Sequence, residues 1–162
     1  MRISWPKFLV LIVMSLLGIT ASSIVFYLYD TLRQQLPVCY PNQSFLGISL
    51  NCEAVLSSQY NSIYGLNLDL LASAYFIVSL ALVCLVAFGS DWFYAKAFRV
   101  LFAWRFLGLI IVPYLMVVEF LILRTICIYC TMMHVAILVD FGIITYFLYY
   151  KKDVKSFLRT NR

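Results

Sequence analysis

Four stretches of this chain are nearly free of charge and long enough to cross a lipid bilayer. Phe8 to Tyr29 has no charged residue over 22 positions, and Leu70 to Ser90 has none over 21. Val100 to Leu123 is interrupted only by Arg105 and Glu119, and Thr125 to Tyr150 only by His134 and Asp140. A helix needs roughly 20 apolar residues to span the hydrocarbon. Backbone groups in lipid must bond internally, and strand-length alternation is absent, so these runs predict helices. The expectation is an all-α integral membrane protein. It is a single domain over residues 1–162, a four-transmembrane-helix bundle with spans at 8–29, 70–90, 100–123 and 125–150. Composition agrees: 64% of residues are hydrophobic and only 12% charged, about half the charged share of a soluble domain. Twelve basic and seven acidic side chains cannot coat a soluble globule of this length. A cytosolic enzyme and an intrinsically disordered chain are both excluded. The expected surroundings are the lipid bilayer, with no nucleic acid.

The basic residues predict the orientation. Arg2 and Lys7 precede the first span, and Lys96, Arg99 and Arg105 lie around the start of the third. Lys151, Lys152, Lys155, Arg159 and Arg162 follow the fourth, so that ten of the twelve fall on one side. Only Arg33 and Arg124 fall on the other. A multi-pass cell-membrane protein with both termini cytoplasmic follows, with the large loop 30–69 outside. A cleaved signal peptide ending near Ala21, Ser22 and Ser23 fits less well, because its apolar core would exceed the usual 7–15 residues. The basic tail reads first as a topology signal and second as a patch for anionic lipid. Within the loop, Pro37, Pro41, Gly47 and Gly65 are breakers. Glu53 to Tyr60 reads as a short helix with apolar residues facing the membrane. Asp91 to Lys96 reads as a short connecting loop, with a shorter turn near Arg124.

Four of the five cysteines fall on the outward side. Cys39 and Cys52 lie in the loop, and Cys127 and Cys130 open the fourth span as Cys-Ile-Tyr-Cys. Cys84 lies deep in the second span and reads as a small apolar residue. Outside the cell disulfides persist. Three readings stand for the other four: two structural disulfides, a zinc site, or two redox-active pairs. Cys39 and Cys52 lack the short spacing of zinc ligands. A Cys127–Cys130 bond closes too small a loop to constrain much chain entropy, and suits exchange better. No metal site is expected.

Cys127 and Cys130 are placed in the first turns of a helix, whose positive dipole end stabilises thiolate, the attacking species. Positions 127, 130, 131 and 134 follow helical spacing, so Cys127, Cys130, Thr131 and His134 are expected to form one stripe. His134 is the only histidine. An ionisable side chain inside a membrane is a functional candidate by default; a neutral imidazole satisfied by a neighbouring helix is the alternative. Glu119 and Asp140 are intramembrane carboxyls for which packing or topology competes equally with chemistry.

Taken together, the motifs resemble those of the vitamin K epoxide reductase family. Cys52-Glu-Ala-Val-Leu-Ser57-Ser58, then Tyr60, Tyr64 and Gly65 before the second span, resembles the family's loop signature. Cys127-Ile-Tyr-Cys130 followed by His134 resembles its active-site helix. The likeness runs roughly from Leu11 to Leu148. It implies a four-helix bundle around a quinone pocket, of the ubiquinone or menaquinone type. It implies that Cys39 receives electrons from a thioredoxin-like partner and that Cys52 attacks the Cys127–Cys130 disulfide at Cys127. Cys130 is then left as the thiolate facing the quinone. His134, Asn67 and Thr131 are the implied quinone contacts, and Ser57 orders the loop near Cys52.

Two departures bear on this. Twelve residues separate Cys39 from Cys52, a longer interval than is usual in the family. His134 stands where the animal enzymes have tyrosine, which points to a microbial relative that makes disulfides. Twelve residues follow Tyr150, so the expected thiol partner is a separate thioredoxin-fold, DsbA-like protein. The implied function is a membrane thiol-disulfide oxidoreductase. Three alternatives remain: true vitamin K epoxide reduction, a DsbB-like protein whose close cysteine pair enters span two, and a scaffold with structural disulfides.

Overall fold

The computed structural model describes residues 5–37, 39, 43–45, 48–63, 65–88 and 91–160. Four long helices dominate it, each long and apolar enough to cross a membrane. They are α1 (Trp5–Val25), α3 (Leu68–Phe88), α4 (Asp91–Val117) and α5 (Ile128–Thr160). The short helix α2 (Cys52–Leu56) lies between α1 and α3. α1 packs on α3 and α5, α3 on α4, and α4 on α5, so the four close into a ring. Lys7 near the start of α1 lies 4.4 Å over the Tyr146 ring of α5. The beginning of the first span and the end of the last therefore share one end of the bundle.

The helix ends depart from the apolar runs. α1 begins at Trp5 and its last turn widens into a π-helix, Phe26–Thr31. α4 begins at Asp91, so Asp91 to Lys96, expected as a loop, forms its first turns. Interfacial turns need no apolar residues, since long side chains there reach water. α4 also ends in a π-helix, Val118–Leu123, closed by Arg124 in the left-handed conformation. The fourth helix starts at Ile128, not Thr125, because Thr125–Ile126 forms a strand, β5.

Other short strands lie between α1 and α3: β1 (Gln43–Phe45), β2 (Ile48–Leu50), β3 (Ser62–Ile63) and β4 (Leu66–Asn67). These five strands are a feature that the all-α expectation did not include. β1 pairs antiparallel with β2, and β2 pairs parallel with β5 through Ser49↔Thr125 and Leu50↔Ile126. β3 and β4 form a hairpin whose turn contains Gly65 at φ +80. Val55 and Leu56 of α2 were expected to face the membrane; instead both are buried in the bundle core.

Helices in lipid gain little from hydrophobic exclusion, so they associate through close packing and polar bonds. Gly18 of α1 meets the Phe76 ring of α3 so closely that a methyl group there would overlap it. Beside it, the hydroxyls of Ser73 and Ser22 bond at 2.9 Å. The large apolar side chains Ile77, Ile110 and Leu121 face outward, as they must where the solvent is hydrocarbon.

A polar layer crosses the bundle at mid-depth. Arg105 of α4 is fully buried and pairs with Asp140 of α5 at 2.6 Å. The same guanidinium donates to Ser15 of α1 at 3.1 Å. The Trp104 indole donates to Ser79 of α3 at 3.1 Å and stacks on Tyr75. One apolar cluster, with Leu11, Val83, Leu101 and Ile144, lies on the side of the chain ends. Another, with Val25, Phe76, Val112, Cys127 and Ile137, lies on the side of the strands. Arg105 therefore acts as an internal ion-pair partner, not as a flanking topology charge.

Breaking a buried pair on one side leaves an uncompensated charge and costs about 3–5 kcal/mol, whereas replacing both partners by apolar residues is often neutral. Asp140→Leu or Arg105→Met alone should destabilise the detergent-solubilised protein by about that amount. The double variant should recover most of it. Equal losses in single and double variants in a denaturation series would show that the pair does not hold the layer together.

Candidate functional site

The strand register assembles the site. The parallel pair Leu50↔Ile126 sets two chain segments side by side, and each turns into a helix just beyond it. Asn51 caps α2, its side chain accepting from the Ala54 N–H at 3.1 Å, and Cys52 follows. Cys127 follows Ile126 and caps α5, its carbonyl accepting from the Thr131 N–H at 2.9 Å. The register is tied by the hydroxyls of Ser49 and Thr125 at 3.2 Å. Cys52 (1% exposed) and Cys127 (0%) thereby enter the same apolar cluster.

Cys39 and Cys52 form a disulfide with Cα atoms 5.7 Å apart. Cys127, Cys130 and Cys84 are free thiols. Cys39 is partly exposed and, with Cys52, lines a polar cleft that also includes Arg33, Gln34, Asn51 and Glu53. The Cys39 segment is anchored from α5. Tyr129, between the two helix cysteines, donates to the Pro37 carbonyl at 2.9 Å, and Leu36 is buried in the core.

On the other side of the helix cysteines lies a cavity of about 160 Å³. α3, α4 and α5 wall it, and Val55, Ser58 and Tyr60 from the α2 region cover one side. Cys130, Met133, His134 and Ile137 line it from α5, following i, i+3, i+4, i+7 spacing from Cys130 itself. Tyr75, Asp69, Gly108 and Glu119 also line it. Gly108 is a glycine because the Tyr75 hydroxyl occupies the space of a side chain there. Glu119 is 3% exposed and lines the cavity together with Cys130, near enough for the carboxyl and the thiol to interact. The Cys127 and Cys130 side chains are likewise near enough to interact.

The expected residues divide between places. Cys130 and His134 meet at the cavity, and Cys127 lies behind Cys130. Thr131 does not join them: it is exposed, its hydroxyl donates to the Cys127 carbonyl at 3.0 Å, and it lines a separate apolar groove with Met14 and Leu17. The helix begins one residue after Cys127, and Thr131 stands about 100° round from Cys130. Asn67 lies in β4 and donates to the Asp30 carboxylate at 2.7 Å, tying α1 to the start of α3. Another asparagine, Asn61, lines the cavity, its amide donating to the Leu56 carbonyl and to Asp69. Ser57 is exposed, and its backbone N–H closes α2. The side chain that ties down this turn is Ser58, donating to the Val55 carbonyl at 2.7 Å. Asp69 escaped notice because it stands at the edge of an apolar run. Glu119 was visible as an intramembrane carboxyl, but only the fold brings it to Cys130.

A comparison with curated proteins finds no match. A family model does match residues 9–145, most of the chain, and it is that of the vitamin K epoxide reductase family. Its span takes in both cysteine pairs, the strand pairing that joins them and the cavity walls. The chain therefore belongs to the vitamin K epoxide reductase family, whose members are membrane oxidoreductases.

Proposed function

We propose that the protein is a membrane thiol-disulfide oxidoreductase that oxidises a separate thioredoxin-like protein and passes the electrons to a membrane quinone. The carrying observation is the position of Cys130. It lines an apolar cavity on one side and packs on the other against the cluster that contains Cys127 and Cys52. An engineered apolar cavity of about 150 Å³ accepts benzene, so about 160 Å³ admits one six-membered ring. His134 lines the same cavity, which supports a hydrogen bond from its ring to a quinone oxygen. When bound, the quinone accepts two electrons and two protons.

Burial supports the following order of thiol steps. Cys52 and Cys127 are closed to a protein partner, whereas Cys39 is partly exposed beside a polar cleft. A partner thiolate attacks Cys39 and releases Cys52 as thiolate. The partner's second thiolate then frees Cys39, leaving the partner oxidised. Cys52 attacks the oxidised helix pair at Cys127, and Cys130 leaves as a thiolate against the cavity. Cys39 resolves the Cys52–Cys127 bond and restores the Cys39–Cys52 disulfide. Exchange proceeds through such mixed disulfides. The excess of basic residues at one end of the bundle supports cytoplasmic termini and extracytoplasmic cysteines.

Purified protein given a reduced thioredoxin-like donor should bleach quinone absorbance, and Cys130→Ser should abolish turnover. Turnover that survives in Cys130→Ser would reject the assignment, as would its absence from the parent with every quinone tried. Cys39→Ser should lose turnover with the protein donor by at least about 10²-fold but keep much of it with a small dithiol that can reach Cys52. Equal loss with both donors would remove Cys39 from the partner-facing role. His134→Leu should raise the quinone KM about tenfold, the worth of one hydrogen bond, with partner exchange unchanged.

A further inference from the structure

Glu119 is a carboxyl buried between α4 and α5, and neither the family match nor the thiol relay gives it a task. Three observations converge on it. It is 3% exposed and lines the cavity that Cys130 lines. Its carboxyl is near enough to the Cys130 thiol, on the same cavity wall, for the two groups to interact electrostatically. It sits in the π-helical end of α4, Val118–Leu123, where its carbonyl accepts from the left-handed Arg124. A π-helical segment adds residues to a turn and re-aims side chains, and such segments recur at functional sites. Arg105, the nearest buried cation along the same helix, is already bound to Asp140 and Ser15. The titratable groups that line the cavity with Glu119 are Cys130 and His134 of α5, Asp69 and Tyr75 of α3, and Tyr60. Among these, the thiol of Cys130 interacts with the Glu119 carboxyl.

We propose that Glu119 is a catalytic proton carrier: its carboxylate takes the proton of the Cys130 thiol and returns it to the quinone in the same cavity. This rests on the oxidoreductase reading and deepens it. The balance is that of dithiol oxidation. Once the released Cys127 and Cys130 thiolates have taken up the two protons that the partner dithiol gave up, the pair loses two protons and two electrons as the S–S bond forms, and the quinone gains both to become a hydroquinone. One proton passes through Glu119 and the other comes from the Cys127 thiol. A carboxylate beside a thiol opposes a standing negative charge on sulfur, so Glu119 serves transfer and does not favour a resting thiolate. This sets it apart from the helix dipole, which acts in the opposite sense.

The test is Glu119→Gln, an isosteric neutral replacement, read in two ways. Alkylation of Cys130 by iodoacetamide, followed by mass spectrometry in quinone-free detergent, reports the thiolate population. It should rise several-fold, because the opposing charge is gone. Quinone turnover with the reduced thioredoxin-like donor should fall about 10²-fold, the usual contribution of a positioned acid–base group, with kcat carrying the loss. Glu119→Asp, which keeps a carboxyl, should recover at least about tenfold of that loss. A purely structural role would slow both readouts together, and that result overturns the proposal. So does unchanged alkylation with full turnover, or equal losses in the Gln and Asp variants. If Glu119→Gln does not fold, the Asp variant decides alone: loss of turnover to the level of Cys130→Ser counts against the proposal. A parent protein without turnover rejects the oxidoreductase reading, whereas the alkylation readout needs no quinone and still judges the Glu119–Cys130 interaction.

Discussion

A guanidinium at mid-depth in an apolar bundle has to find an anion, and Asp140 supplies it to Arg105. The pair does more than neutralise itself. Through Ser15 it joins α1 to α4 and α5, while Trp104 ties α4 to α3 at the same level. Beyond the fit of Gly18 against Phe76 and the Ser22–Ser73 hydrogen bond, four helices with largely apolar outer surfaces have little else to fix their rotation about their own axes. Rotation decides everything above the layer, because one residue of slip on α5 would carry Cys130 about 100° away from the cavity. The layer thus sets which face of each helix lines the quinone-sized space.

The second fixed point is the parallel pairing of β2 with β5. It involves two residues on each strand, yet it joins segments 76 positions apart through the Ser49–Thr125 contact. One pairing places the loop cysteine that starts α2 beside the cysteine that caps α5. The hydrogen bond from Tyr129 to Pro37 then holds the Cys39 segment from the other side. The loop cysteines are therefore held beside Cys127 by backbone register and two side-chain ties, with Cys39 at the partly exposed end.

The four spans were legible because nearly uncharged runs of that length have few other solutions, and the two cysteine pairs and His134 were legible by type and spacing. The boundaries were not, since charged residues such as Lys7 and Lys96 are tolerated in interfacial turns that remain helical. The strands were invisible because two- and three-residue strands carry no periodicity. Arg105 and Asp140 are 35 positions apart in sequence, so neither announces its partner. Thr131 shows the limit of helical spacing arguments: the stripe was counted from Cys127, but the helix starts after it, and counting from Cys130 gives Met133, His134 and Ile137. Asn67 and Ser57 were chosen by motif position, whereas the residues that line the cavity or bond within the turn are their neighbours in the fold, Asn61 and Ser58.

On the proposed oxidoreductase reading, these features divide the chemistry between two environments. A thiol partner is a protein and needs access from water, and the partly exposed Cys39 stands beside a cleft. A quinone ring is apolar and needs a dry cavity, which the bundle provides on the far side of Cys130. Electrons cross between them by disulfide exchange, which moves sulfur–sulfur bonds and requires no continuous polar path. Protons do require polar groups, and a cavity this apolar has few. Asp69 is held by Asn61 and Asp140 by Arg105. Glu119, which lines the cavity with the Cys130 sulfur, is the carboxyl that the proposal assigns to move one. On the proposed reading, burial separates electron entry at Cys39 from electron exit at Cys130, and Glu119 serves the proton at the same sulfur where the electrons leave.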